Sequence, residues 1–283
     1  MELAAYFERI GFAGPARPDL ATLRALHRAH LLAIPYENLD VQLGRPLTTD
    51  PAAAYDKIVR RGRGGWCYEM NGLFGWALEQ VGFAVTRMAG AANRELLGDV
   101  VAGNHLVLLV QVEGEPWIAD TGFGDGSIEP FPLRVQAMTV DGFPFRLEPL
   151  DDRWWRFHNH PNGGAKSFDF VVEPADPALL DGRCQWLQYA PESGFVLNLV
   201  AQRHRSGGIL QLRGRVLREV TPTGLTSRLL GSADELVAVL REDFGLDVPE
   251  VAELWSRVVA RHEAVLAAAE AQASSMPQEV SSP

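Results

Sequence analysis

The sequence predicts an α+β protein laid out in three consecutive sections. Residues 1–82 carry apolar side chains at helical spacing, short strand-like runs begin at Ala84, and the last part mixes both patterns. With 283 residues, 47% of them hydrophobic, the chain is long enough for a sizeable core and about two domains.

The elements follow in order. Residues 2–10 read as a short helix closed by Gly11. Asp19 can cap a helix whose apolar positions include Leu20, Leu23, Leu26 and Leu31, and Pro35 ends it. Residues 36–40 form an ordered loop. Asp50-Pro51 places a capping side chain before a proline at the first helical position, which predicts helix over 51–61. From Met70 the apolar residues fall at 70, 73, 74, 77, 78 and 81, an amphipathic helix stopped by Gly82. The apolar run 105–112, a turn at Gly114 and the segment 117–120 give a hairpin. Further strands are expected at 145–147, 154–158, 168–173 and 185–189, separated by glycine and proline clusters at a spacing that suggests a barrel or sandwich. Segments 196–204 and 209–219 read as antiparallel strands joined by Ser206-Gly207-Gly208. Ser232 and Glu235 form a capping box for a helix that ends at Gly245, and a second helix runs from about Glu250 into an alanine-rich stretch. The composition of 274–283 predicts a disordered tail. There is no internal repeat.

The charge balance, 26 basic against 36 acidic residues for a net −10, argues against general binding to nucleic acid or to anionic membranes. It leaves room for a local basic pocket. No apolar run is long enough for a membrane-spanning helix. The first residues lack the basic-then-apolar order of a secretory signal, and two cysteines, Cys67 and Cys184, make no disulfide framework. A reducing, cytoplasmic location is the expectation, and it would keep a catalytic thiol free.

Cys67 lies between the Gly64-Gly65 pair and the start of the helix that follows. A helix N-terminus presents unpaired N–H groups and favours an anion, which is one of the settings that lower a thiol pKa. The glycines permit a tight turn and close approach of another molecule. They are not a phosphate loop, because no Lys-Ser/Thr pair follows. A buried structural cysteine is the alternative. A thiol nucleophile needs a base and a group that orients the base. His105 opens the strongest strand, and Asp120 closes its hairpin partner, so the two can adjoin and act as base and orienter. The plainer readings are a packed histidine and a turn-forming aspartate.

These residues carry a resemblance. RGGWCYEMNGLF at 63–74, NHLVLLV at 104–110 and WIADTGFG at 117–124, together with HLLAIPYENLD at 30–40, resemble the arylamine N-acetyltransferase family. Four motifs in one order are specific, and the resemblance covers about residues 20–205. It implies a helical first domain (1–83), a central β-barrel (84–190) and a C-terminal α/β lid (191–273), around a cysteine-protease-like Cys-His-Asp core formed by Cys67, His105 and Asp120. It further implies acetyl transfer from acetyl-coenzyme A, through an acetyl-cysteine, to an arylamine, arylhydrazine or arylhydroxylamine, with no metal. Tyr36, Phe123 and Phe195 match the family's acceptor-ring positions. The family often has Phe where this chain has Tyr36 and Val where it has Thr121, and these departures bear on acceptor preference. A thiol hydrolase or transglutaminase-like enzyme shares the residue order Cys, His, Asp and differs in the acceptor.

Other candidates remain open at this level. His158 and His160 alternate along a strand and could be two metal ligands, but no acidic or cysteine cluster completes a set. Glu69 either supports the site or caps the helix. Arg203, His204 and Arg205 either meet coenzyme A phosphates or form a solvated turn, and Cys184 reads as a small buried residue.

Overall fold

A computed structural model describes residues 1–275. Helix α1 (Leu3–Ile10) ends at Gly11, whose φ of 68° provides the left-handed cap. Helix α2 (Leu20–Ala33) begins where the Asp19 side chain accepts from the Thr22 N–H. Strand β1 (Tyr36–Glu37) and the short helix α3 (Leu39–Gln42) follow. Helix α4 (Pro51–Tyr55) is capped by Asp50 and continues as one π-helical turn, Asp56–Arg60. Helix α5 (Cys67–Val81) stops at Gly82, φ 105°.

The periodicity of α5 suggests one apolar face, yet twelve of its fifteen residues are buried. The helix runs through the protein, covered by α1 and α2 on one side and by sheet on the other. Met70, Leu73, Phe74 and Leu78 pack with Tyr6, Leu23, Leu26, Leu108 and Val110. A helix enclosed on all sides tolerates few charges, and Glu69 is buried with its own counter-ion.

Strands β2 (Ala84–Ala92), β3 (His105–Val112) and β4 (Glu115–Ile118) start the larger sheet, with helix α6 (Arg94–Leu97) in the β2–β3 connection. Strands β5 (Phe131–Pro132), β6 (Gln136–Val140), β7 (Phe143–Pro149), β8 (Trp154–His158) and β9 (Ser167–Val171) complete it. The eight strands lie in the order β5-β4-β3-β2-β9-β8-β7-β6. This sheet curls into a half-barrel with β5 and β6 as its two edges. Its concave side is filled by aromatic rings, with Phe157 stacked on Phe131, Phe145 and Phe168 at 4.9–5.5 Å between centroids.

Helix α7 (Pro177–Tyr189) overturns the strand expected at 185–189. Asp176-Pro177 repeats the signal of Asp50-Pro51: Asp176 accepts from the Ala178 N–H, and Leu180, Cys184 and Leu187 recur at helical spacing toward the interior. Residues 194–197 are also helical (α8, Gly194–Leu197), capped by Ser193, so the expected strand from 196 begins only at Val200. Strands β10 (Val200–Arg205), β11 (Gly208–Arg213), β12 (Val216–Thr221) and β13 (Gly224–Leu229) form an antiparallel meander. Gly214, at φ 58°, splits the single strand expected over 209–219 into β11 and β12. Strand β1 joins the edge of this sheet by pairing with β10, so the order is β1-β10-β11-β12-β13. Helices α9 (Ala233–Glu242) and α10 (Trp255–Ser275) cover the face that carries Leu210, Leu212 and Leu217. The tail expected over 274–283 lies, beyond Ser275, outside the described residues. Among the described residues no helix is long and apolar enough to cross a membrane.

Candidate active site

Cys67 is the first residue of α5, and its thiol is free and buried. The turn before it is held by the chain itself. Tyr36 forms a parallel bridge with Gly65, and a Cβ at Gly64 would collide with the Pro35 carbonyl. The glycine pair therefore admits the 35–37 segment rather than a ligand. Cys67 Sγ donates to the Asn104 carbonyl at 3.7 Å, which sets the sulfur against the residue preceding His105. The next residue, Tyr68, donates its hydroxyl to the Gly103 carbonyl at 2.6 Å and holds the same loop.

The β3–β4 hairpin brings His105 and Asp120 to one end. Its register pairs Leu109 with Ile118 and Val110 with Trp117. Continued two residues, that register sets Asp120 opposite Val107, on the face His105 shares. His105 Nε2 lies 2.7 Å from Asp120 Oδ2. An Nε2–H donated to the carboxylate leaves Nδ1 as the basic nitrogen of a neutral ring. The imidazole is wedged between Phe123 and Phe168, at 5.4 and 5.1 Å between centroids.

Asn71 joins the two parts, and sequence reasoning missed it. One turn after Cys67, its Nδ2 donates to the Leu106 carbonyl (2.5 Å) and to Asp120 Oδ1 (2.7 Å). Its Oδ1 accepts from the Thr121 N–H (2.8 Å) and hydroxyl (3.0 Å). Gly122 N–H also donates to Asp120 Oδ1 at 2.8 Å. Gly122 packs so closely that a Cβ there would lie 2.8 Å from Cys67 Cα. The i, i+4 spacing of Cys67 and Asn71 was the available signal, because it puts both on one helix face.

The electrostatics differ from the expectation for the thiol. Burial pushes the Cys67 thiol well above its ordinary value; the Leu106 backbone pulls it down, while Cys184 and Asp120 add to the rise. The helix N-terminus does not outweigh desolvation, so an isolated thiolate is disfavoured. Burial would raise the Asp120 carboxyl too, but His105, Asn71 and the Gly122 N–H outweigh it and hold the carboxyl below its usual range.

A second buried cluster lies at the start of α5, outside the cavity lining. Lys57 Nζ reaches Glu69 (2.8 Å), Asp40 (3.1 Å) and Glu37 (3.6 Å), and Arg63 reaches Glu37 (2.8 Å) and Asp40 (3.2 Å). Glu69 also accepts from the Trp66 N–H at 3.2 Å, so it both caps α5 and enters this network. The five charges bind the 36–40 loop, the π-helical turn and the start of α5 into one unit.

Cys67 and His105 open onto a cavity of about 1150 Å³. Tyr36, Phe123 and Phe195 line the same cavity, and Tyr36 and Phe195 stand 6.5 Å apart between ring centroids. The remaining candidates fall elsewhere. His158 meets Glu148 and Arg146, while His160 is buried against Phe143 and Phe145. Among the described residues no group of three His, Cys, Asp or Glu is placed to hold a metal. Arg203 and Arg205 both donate to the Asp243 carbonyl at the end of α9, and His204 is buried. Cys184 is buried in α7.

The sequence profile of the N-acetyltransferase family matches residues 19–253. The chain belongs to the arylamine N-acetyltransferase family. It is 36% identical to the arylamine N-acetyltransferase of Escherichia coli, over 87% of this chain and 89% of that one. It is 34% identical to the arylamine N-acetyltransferase / N-hydroxyarylamine O-acetyltransferase of Salmonella typhimurium, over 88% and 90%. Among solved structures, the arylamine N-acetyltransferase of Mycobacterium marinum in complex with CoA superposes with a TM-score of 0.82 at 31% identity, covering 92% of this chain and 98% of that one. The Mycobacterium tuberculosis structure gives 0.82 at 30% identity, covering 91% and 99%. The protein is an acetyltransferase of this family, and its mixed helix and half-barrel fold is the family's.

Proposed function

We propose that the protein moves an acetyl group from acetyl-coenzyme A to the nitrogen of an arylamine or arylhydrazine, or to an arylhydroxylamine, by double displacement through acetyl-Cys67. The observation that supports this reading is that the buried Cys67 and the Asp120-paired His105 line one large cavity, in a chain of this family. The Cys67 thiol gives its proton to His105 Nδ1. The sulfur attacks the thioester carbonyl, and coenzyme A leaves with the proton from the imidazolium. The acceptor then attacks acetyl-Cys67, His105 takes the acceptor's proton, and that proton returns to the departing sulfur. Asp120 holds the ring and supports its charged form.

The raised thiol pKa fits this scheme. A sulfur that ionises poorly alone forms its thiolate only as a pair with the imidazolium, whose charge Asp120 balances. The Cys67 N–H, at the first position of α5, has no acceptor within the helix and is the candidate donor to the tetrahedral oxyanion. Tyr36, Phe123 and Phe195 supply apolar walls for a flat acceptor ring.

Intact-protein mass spectrometry after mixing with acetyl-coenzyme A tests the reading. One acetyl group should appear on the wild type, be absent from Cys67→Ser, and be discharged by an arylamine. A protein that stays unmodified would overturn the reading, and peptide cleavage without coenzyme A would instead mark a thiol hydrolase.

A further inference from the structure

Asp125 is a buried carboxylate that takes no part in the transfer chemistry above. Four donors converge on it. Asn159 donates to Oδ1 at 2.9 Å, and the Gly164 N–H (2.6 Å), Gln211 (2.7 Å) and Gln202 (3.2 Å) donate to Oδ2. All four are neutral amides. Burial pushes the carboxyl up to about 6, so at pH 7 it is an anion and both oxygens accept. Hydrogen bonds to an ionised acceptor are stronger than those between neutral groups, and an amide in this place would offer one acceptor oxygen instead of two.

Two of the donors belong to the floor of the large cavity. Tyr36 of β1 pairs with Gln202 of β10, Gln202 with Gln211 of β11, and Gln211 with Arg218 of β12. These four residues form one row across four strands, and all of them line the cavity. The other two donors belong to residues 159–166, the flap that connects β8 to β9. The Asn159 N–H donates to the Lys166 carbonyl at 2.9 Å and closes the neck of the flap, while His160 roots it against Phe143 and Phe145. Pro161 and Asn162 are exposed, and Gly163, Gly164 and Ala165 line the cavity together with Cys67 and His105. Among the described residues, two hydrogen bonds tie 161–165 to the protein outside the flap. The Gly164 N–H donates to Asp125, and Gln211 donates to the Asn162 carbonyl at 3.4 Å. Gln211 is itself held by Asp125.

The segment that supplies this carboxylate also holds the reacting groups. Asp120 meets His105, Gly122 packs on Cys67, Phe123 lies against the His105 ring, and Asp125 follows two residues later. Gly124, at φ 85°, admits Gln202 so closely that a Cβ there would collide with its amide. Flap, floor and reacting groups are thus set by one short stretch of chain. An acetyl-cysteine is a thioester, and water competes with the acceptor for it. Attack of water on its carbonyl breaks the C–S bond, releases acetic acid and returns one proton to the sulfur. A closed site suppresses such side reactions by excluding water.

We infer that Asp125 is a positioning residue that clamps the 159–166 flap to the C-terminal sheet and thereby shields acetyl-Cys67 from water. The inference rests on the acetyl-transfer reading and adds to it the group that keeps the intermediate for the acceptor.

The test follows two quantities at pH 7 in wild type, Asp125→Ala and Asp125→Asn: hydrogen–deuterium exchange of residues 159–166, and the loss of the acetyl group from Cys67 without acceptor, read by intact mass. Asp125→Ala should speed flap exchange and acetate release each by about tenfold, while acetylation of Cys67 by acetyl-coenzyme A changes little. More turnovers should then end in acetate and fewer in acetylated arylamine. Asp125→Asn should fall between the two, and it reads the clamp if the alanine variant does not fold. Exchange at the wild-type rate in the variants, or faster exchange with no faster loss of the acetyl group, overturns the inference. Acetate release that rises only in step with exchange across the whole protein overturns it too, because that marks general destabilisation. A wild type that takes up no acetyl group shows instead that the transfer reading has failed, whereas a wild-type acetyl-Cys67 that hydrolyses as fast as that of the variants counts against the clamp alone.

Discussion

Asp120 Oδ1 accepts from Asn71 Nδ2 at 2.7 Å while its other oxygen meets His105, so one side chain of α5 fixes the carboxylate that orients the imidazole. The helix that carries the sulfur and the hairpin that carries the ring are thereby fastened to each other at Asp120.

Asp120→Asn keeps the shape but removes the charge that balances an imidazolium, and it favours the wrong ring tautomer. Acetylation of Cys67, followed by single-turnover mass spectrometry, should slow by about three to four orders of magnitude. A rate near wild type would reduce Asp120 to a turn residue.

Asn71→Ala deletes the tie between α5, Leu106, Asp120 and Thr121. The reacting groups remain but their alignment loosens. The turnover number should fall by about 100-fold, with little change in KM for acetyl-coenzyme A. A large rise in KM with normal turnover would show that Asn71 shapes binding instead.

Lys57→Met leaves Glu69 buried without an ion pair, and leaves Glu37 to Arg63 and Asp40 to Arg63 and Arg45. Removing one partner from a buried ionic cluster costs about 3–5 kcal/mol. Chemical denaturation should show that loss, and Lys57→Arg should restore part of it. A cost below about 1 kcal/mol would mean that water or a rearranged Arg63 compensates.

Asp125 gives a pH signature. Its carboxylate accepts from Asn159, Gly164 N–H, Gln202 and Gln211, which ties the half-barrel loops to the C-terminal sheet. Burial nevertheless pushes it up to about 6. A carboxyl that holds its proton more tightly when folded makes stability fall as pH rises from its unfolded pKa to its folded one. The stability of wild type relative to Asp125→Asn should therefore decline by about 3 kcal/mol between pH 4 and pH 6 and then level off. Melting curves across that range check it, and a flat or rising difference would show that the four donors hold the carboxylate low.

Much of the local architecture was legible in the chain. The caps at Asp19, Asp50 and Ser232, the stop at Gly82 and the 105–120 hairpin all fall where their signals lie. The end of α7, Gln185 to Tyr189, is strand-like by itself, and the signal for helix lies in the Asp176-Pro177 cap that starts the element well before it.

By itself the sequence determined the candidate side chains and what backbone each sits on, because caps, turns and periodicity act within a few residues. Tertiary structure alone decided what surrounds them. The rise of the Cys67 thiol, the service of Asn71, the buried Lys57 cluster and the row from Tyr36 to Arg218 arise between segments far apart in the chain. Desolvation and cross-strand register depend on what lies opposite a residue, and no neighbour along the chain encodes that.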